Sequence, residues 1–143
     1  MGKLESSIRI FFKLKKMTKK KVLILGIVFI SLGIIFGAFG AHGLKNIIQD
    51  VQKLNSFETG IRYQIYMGFS FLWYSTSKIA INKTIVWLWS LGALFFCFSI
   101  YLLVLSEVIG FKMSFLGPLT PLGGLSIVLG WFILLFKIIR NQL

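Results

Sequence analysis

A single histidine, His42, a single cysteine, Cys97, and four carboxylates, Glu5, Asp50, Glu58 and Glu107, are the side chains from which acid–base or metal chemistry would have to be built. They do not assemble. Zinc takes three or four ligands, and His42 and Cys97 stand fifty-five residues apart with no third candidate beside either. A Ser-His-Asp relay needs its histidine between a hydroxyl and a carboxylate, and the carboxylates lie outside the apolar runs described below. Proton-driven carriers usually place a carboxylate or a histidine chain within the membrane. No glycine-rich phosphate loop follows a strand. An enzyme is therefore not expected, and no catalytic residue, metal ligand or cofactor is assigned. Cys97 sits within an apolar stretch and reads as an inert buried thiol.

One polar constellation does stand out. His42 closes one apolar run, Glu58, Arg62, Tyr63, Gln64 and Tyr66 open the next, and Thr120, beside Pro118 and Pro121, opens the last. Glu58 and Arg62 are four apart, the spacing at which opposite charges pair along a helix. Threaded through a membrane, these segments converge on the outer face. There they could form a ligand site around Arg62, held by Glu58 and by carbonyls at the end of the first helix. The plainer alternative is that they cap helix ends and satisfy one another.

The elements that must position them are helices in lipid. Hydrophobic residues make up 57% of the 143 and charged residues only 14%, with mean hydropathy +0.85. A soluble domain carries about 25% charged residues, so this chain could not cover its surface with polar groups. Uninterrupted apolar runs cover 22–44, 61–77, 84–106 and 119–139, the second of them short. A span needs about 17–25 residues, and runs without alternation mean helices rather than a barrel. The expected fold is all-α: a four-helix transmembrane bundle over 22–143, preceded by a basic tail over 1–21.

Sixteen Lys and Arg face four Asp and Glu, and eight of the sixteen fall within the first twenty-one residues. Their position directly before an apolar run points to anionic lipid headgroups rather than to nucleic acid. With the amino terminus inside, twelve basic residues lie inside and only Lys45, Lys53, Arg62 and Lys112 outside. Both termini are accordingly expected on the cytoplasmic side of the plasma membrane. Trp87 and Trp89 then fit an inner aromatic belt and Tyr63, Tyr66 and Tyr101 an outer one, while the sequon at Asn82 stays unmodified. Within the tail, Leu4, Ile8, Phe11 and Phe12 recur at helical spacing, as in an interfacial helix. Met17 is a natural alternative start. The first apolar run is longer than a signal-peptide core, and the loose myristoylation match at Gly2 is expected to be coincidental.

In the first outer loop, Leu44, Ile47, Ile48, Val51 and Leu54 repeat in three- and four-residue steps, predicting an amphipathic helix lying flat on the outer surface. Gly26, Gly33, Gly37 and Gly40 share one stripe of the first helix, where small residues let another backbone approach. Gly60, Gln64, Gly68 and Ser75 suggest a matching face on the second helix, and Gly123 with Gly130 another on the fourth.

Three motifs in order resemble a known membrane family: Gly37-Ala38-Phe39-Gly40-Ala41-His42-Gly43-Leu44, then Phe57-Glu58-Thr59-Gly60-Ile61-Arg62-Tyr63-Gln64-Ile65-Tyr66, then Leu116-Gly117-Pro118-Leu119-Thr120-Pro121-Leu122-Gly123-Gly124 with Gly130-Trp131. Together with Ser99-Ile100-Tyr101-Leu102-Leu103 they look like the family called domain of unknown function 423. The resemblance implies a four-helix, mainly bacterial membrane protein with no established activity. Members commonly carry histidine where this chain has Met67, so no role resting on that imidazole operates here. The functional expectation is a structural or partner-binding membrane module, acting on a membrane-protein partner or as a homo-oligomer. The alternative is a small permease or channel subunit with a polar outer vestibule.

Overall fold

The computed structural model describes residues 17–111 and 113–140. The predicted interfacial segment, the myristoylation match and most of the basic tail lie outside them. Among the described residues there are four α-helices and no strand: α1 (Lys19–His42), α2 (Val51–Thr76), α3 (Lys83–Ile109) and α4 (Leu119–Ile139).

Short polar residues start three of the four helices by accepting from backbone N–H groups that have no partner within the helix. Thr18 accepts from Lys21 N at 3.3 Å, Asp50 from Gln52 N at 2.9 Å, and Asn82 from Thr84 N at 2.8 Å. The fourth begins after Pro118 and carries Pro121 in its first turn, where a missing N–H costs nothing. Gly110, at φ +72°, ends α3 in the left-handed region that glycine adopts without penalty.

The Asp50 cap corrects one expectation. Residues 44–54 do not form a separate helix lying flat on the surface. A 3₁₀ turn (Leu44–Asn46) is followed by Asp50, which starts α2 ten residues before the expected span and runs it unbroken to Thr76. The loop's apolar residues split: Leu44 and Ile48 plug the top of the core against Phe57 and Val104, while Ile47 and Val51 stay exposed.

Helices α1 and α2 pack as one antiparallel pair, α3 and α4 as another, and α2 against α3 joins them; α1 and α4 share no comparable interface. Three stretches, Lys19–Asn46, Lys83–Ser106 and Ser114–Ile139, are long and apolar enough to cross a membrane, whereas α2 is not. The reason is its position. Helix α2 is flanked by α1 and α3, and Phe57, Gly60, Gln64, Met67, Phe71 and Ser75 are among the residues it buries against protein, so part of its polar content is shielded, while Glu58, Arg62, Tyr63 and Tyr66 stay exposed.

Backbones meet at two crossings. A Cβ added to Gly26 of α1 would stand 2.9 Å from the Gly68 carbonyl oxygen of α2, and one added to Gly92 of α3 would stand 2.9 Å from the Gly123 carbonyl oxygen of α4. Gly33 makes room for Ile65, Gly40 for Phe57 and Gly130 for the Trp89 indole. Gly37 is different, since a Cβ there meets only Ile61 Cγ2 at an ordinary 3.7 Å.

Two apolar clusters fill the bundle. One joins Val22, Met67, Phe71, Tyr74, Ile85, Trp89 and Leu134 toward the end where α1 begins; the other joins Leu44, Phe57, Ile61, Cys97, Tyr101 and Val104 toward the opposite end. Trp89 is fully buried, wedged between Phe71, Tyr74 and Trp131, and Tyr101 is buried as well, so neither belongs to an interfacial belt. Trp87, Tyr63 and Tyr66 are exposed.

Gly68→Ala and Gly92→Ala are expected to lower stability by about 1–3 kcal/mol, while Gly37→Ala is expected to be near neutral. Unfolding of the purified protein in mild detergent, titrated with SDS, reads the three side by side.

Candidate functional site

The expected outer polar cluster separates into five environments. Gln64, three residues before Met67 on the inward face of α2, is buried at 6% exposure. Its Nε2 donates to the Phe29 carbonyl of α1 at 3.0 Å, and its Oε1 accepts from the Tyr101 hydroxyl of α3 at 2.8 Å. Two glycines clear the space: Gly33 lies against the Gln64 amide and Gly60 beneath the Tyr101 ring. The ring is further held edge-on by Phe36 at 5.3 Å and tilted against Phe57 at 4.9 Å. One amide therefore ties three helices together.

Thr120 lies elsewhere, sharing a 2.7 Å hydrogen bond with Ser99 of α3, whose hydroxyl also approaches the Phe96 carbonyl at 3.0 Å. Further along the same helix pair, Ser126 of α4 donates to the Leu88 carbonyl of α3 at 2.9 Å. Tyr63 and Tyr66 form an edge-on pair at 5.9 Å on the exposed face of α2, with Tyr63 tilted onto Phe96.

Arg62 and Glu58 remain together but do not pair. Arg62 Nη2 donates to Thr59 Oγ1 at 3.2 Å, and no ion pair joins Arg62 to Glu58 among the described residues. Both are exposed, where an ion pair gains little and orders two long side chains. Along with Ile61 they border a shallow cavity of about 270 Å³ against Gly37, Gly40 and Ala41 of α1. His42 is the exposed last residue of α1, and its carbonyl accepts from Asn46 Nδ2 at 2.9 Å.

Sequence reasoning had missed Tyr101, Ser99, Ser126 and Gly92 as contact residues. A signal was present: Gly92 and Ser99 are seven apart on α3, as are Gly123 and Gly130 on α4, and a seven-residue step returns to one helix face. Two buried polar atoms have no hydrogen-bond partner among the described residues, Trp89 Nε1 and Ser90 Oγ.

Apolar helices joined by buried hydrogen bonds and glycine crossings define an all-helical membrane protein. A family model described as protein of unknown function (DUF423) matches residues 36–124, which include Gln64, Ser99, Tyr101 and Thr120. The chain belongs to this family. It is 32% identical over 126 residues to the UPF0382 membrane protein YwdK of Bacillus subtilis, covering 85% of this chain and 98% of that protein. A UPF0382 membrane protein of Staphylococcus haemolyticus is 34% identical over 122 residues, covering 82% and 94%. No solved structure matches.

Tyr101→Phe removes the donor to Gln64 Oε1 and is expected to destabilise by about 0.6–2 kcal/mol. In a double-mutant cycle with Gln64→Leu, the combined loss is expected to fall short of the sum of the single losses. Additivity would show that the two side chains act independently. Arg62→Ala, on the exposed face, is expected to change stability by less than about 0.5 kcal/mol.

Proposed function

We propose that this protein is a multi-pass module of the bacterial plasma membrane, crossing four times with both termini in the cytoplasm and acting by assembly rather than by catalysis. The observation that carries the reading is the use made of polar side chains at mid-bundle. Gln64, Tyr101, Ser99, Thr120 and Ser126 hydrogen-bond to one another or to backbone carbonyls, so they hold helices together rather than lining a path for solute.

The orientation is supported by the charges at the two ends. Lys19, Lys20 and Lys21 at the start of α1, Lys78 and Lys83 around the α2–α3 turn, and Lys137 and Arg140 at the end of α4 share one end. Lys19 Nζ reaches the Ser77 carbonyl there at 2.6 Å. No described carboxylate lies at that end; Asp50 and Glu58 are at the other. Basic residues favour the cytoplasmic side and its anionic headgroups. A fourth crossing by α2 is compatible with its polarity because its buried face meets α1 and α3.

The second reading, a small permease with an outer vestibule, is favoured by the cavity bordered by Glu58 and Arg62. Reconstituted liposomes separate the two. The module predicts no solute flux under any imposed gradient, whereas flux abolished by Arg62→Ala would establish the permease. Tags on both termini are expected to report from the cytoplasm, and crosslinking in native membranes is expected to recover a membrane-protein partner or a second copy.

A further inference from the structure

The α1–α2–α3 arrangement leaves a crevice. Helices α1 and α3 both begin at the basic end and run parallel, with α2 behind and between them. At the basic end the crevice is bordered by Lys21 and Ile24 of α1 and by Trp87 and Ser90 of α3, around a cavity of about 360 Å³. Deeper, Val28, Leu32 and Phe36 face Leu94 and Phe98 across a second cavity of about 340 Å³, floored by Gln64 and Tyr101. Since Gln64 and Tyr101 satisfy each other, the lower walls offer almost nothing polar. From Lys21 to Phe36 the helix rises about 22 Å, more than the ~15 Å depth of one leaflet's hydrocarbon.

We propose that this crevice binds one acidic glycerophospholipid, drawn from the leaflet at the basic end. The phosphate sits among the lysines, with the acyl chains lying between α1 and α3. The occupant is chosen by charge. Helices α1 and α3 begin at this end and α2 and α4 finish there, so the charge rests on side chains: Lys21 borders the cavity, Lys19, Lys20, Lys78 and Lys83 lie at the same end, and no described carboxylate is near. A second copy inserted in the same sense would bring the same cations to the same end. Residues 1–16 carry Lys3, Arg9, Lys13, Lys15 and Lys16 against Glu5 alone, so the chain's own tail is also repelled. An anionic headgroup is the complement. Trp87, exposed at the rim, is placed where an indole prefers to lie between headgroup and hydrocarbon.

The proposal rests on membrane insertion but not on which way the chain faces. Its test is therefore done in detergent, where sidedness is absent, and terminal tags decide orientation separately. The purified full-length protein is equilibrated with equal amounts of phosphatidylglycerol and phosphatidylethanolamine and examined by native mass spectrometry. One phosphatidylglycerol per chain is expected to be retained, preferred about fivefold. Leu94→Trp, a half-exposed wall position, is expected to remove the retained lipid, and Lys21→Gln to bring the two lipids toward parity. Equal retention by the wild type, or phosphatidylglycerol retention untouched by Leu94→Trp, overturns the proposal. Should Leu94→Trp lose its folded transition, phosphatidylglycerol with a photoreactive chain takes its place. Crosslinks along the facing sides of α1 and α3 support the site; crosslinks confined to α4, or a covalent dimer across the crevice, overturn it.

Discussion

In hydrocarbon a polar side chain has no water to turn to, so Gln64 must find both partners inside the protein, and where it finds them sets three helices in place. Its amide nitrogen reaches a backbone carbonyl on α1 and its oxygen accepts from the Tyr101 hydroxyl of α3. Everything near the bond serves the same geometry. Gly33 and Gly60 remove the side chains that would stand in the way, and Phe36 and Phe57 hold the tyrosine ring. Individually such bonds are worth only about 0.6 kcal/mol on average in a membrane protein. Their direction matters more than their size, because apolar helix surfaces against lipid specify neither rotation nor depth.

Packing does the rest. Lipid is as apolar as leucine, so no hydrophobic force drives helices together, and contact has to come from close approach. The Gly26–Gly68 and Gly92–Gly123 crossings supply it within each hairpin. Between hairpins the work passes to aromatic rings, with Trp89 of α3 lying against Phe71 and Tyr74 of α2, and Trp73 of α2 against Trp131 of α4. This division explains why Trp89 left the interfacial role its position suggested. A large ring adjoining Gly130 fills space that a headgroup-facing ring would leave empty.

Much of this architecture was legible in the chain, and the errors have physical causes. Helix count and class follow from the length of apolar runs, a signal that lipid makes strong. Glycine stripes mark contact faces, yet Gly37, which completes the most recognisable spacing, sits at an ordinary contact distance, because spacing identifies a face and not the point where two axes cross. Period alone could not distinguish an interfacial helix over 44–54 from a plug followed by the first turn of α2; the Asp50 cap decided it. For the polar cluster, placing residues at one end of a bundle said nothing about which way each faced. Gln64 and Thr120 turn inward to partners on α3, Tyr63 and Tyr66 turn outward, and Arg62 prefers the near hydroxyl of Thr59 to the carboxylate of Glu58.

The shielded position of α2 has a bearing on how the chain is made. A segment carrying Arg62 and Gln64 is less apolar than the other three helices, and α1 and α3 take up Gln64 while Arg62 stays exposed. On the proposed four-crossing topology, α1 can leave the insertion machinery at once, whereas α2 is retained until a neighbour accompanies it. The order of emergence suits this, since the strongly apolar α1 precedes α2 and α3 follows after a short turn. A ribosomal pause or an insertion lengthening that turn would therefore act on the yield of assembled protein while leaving the finished molecule unchanged.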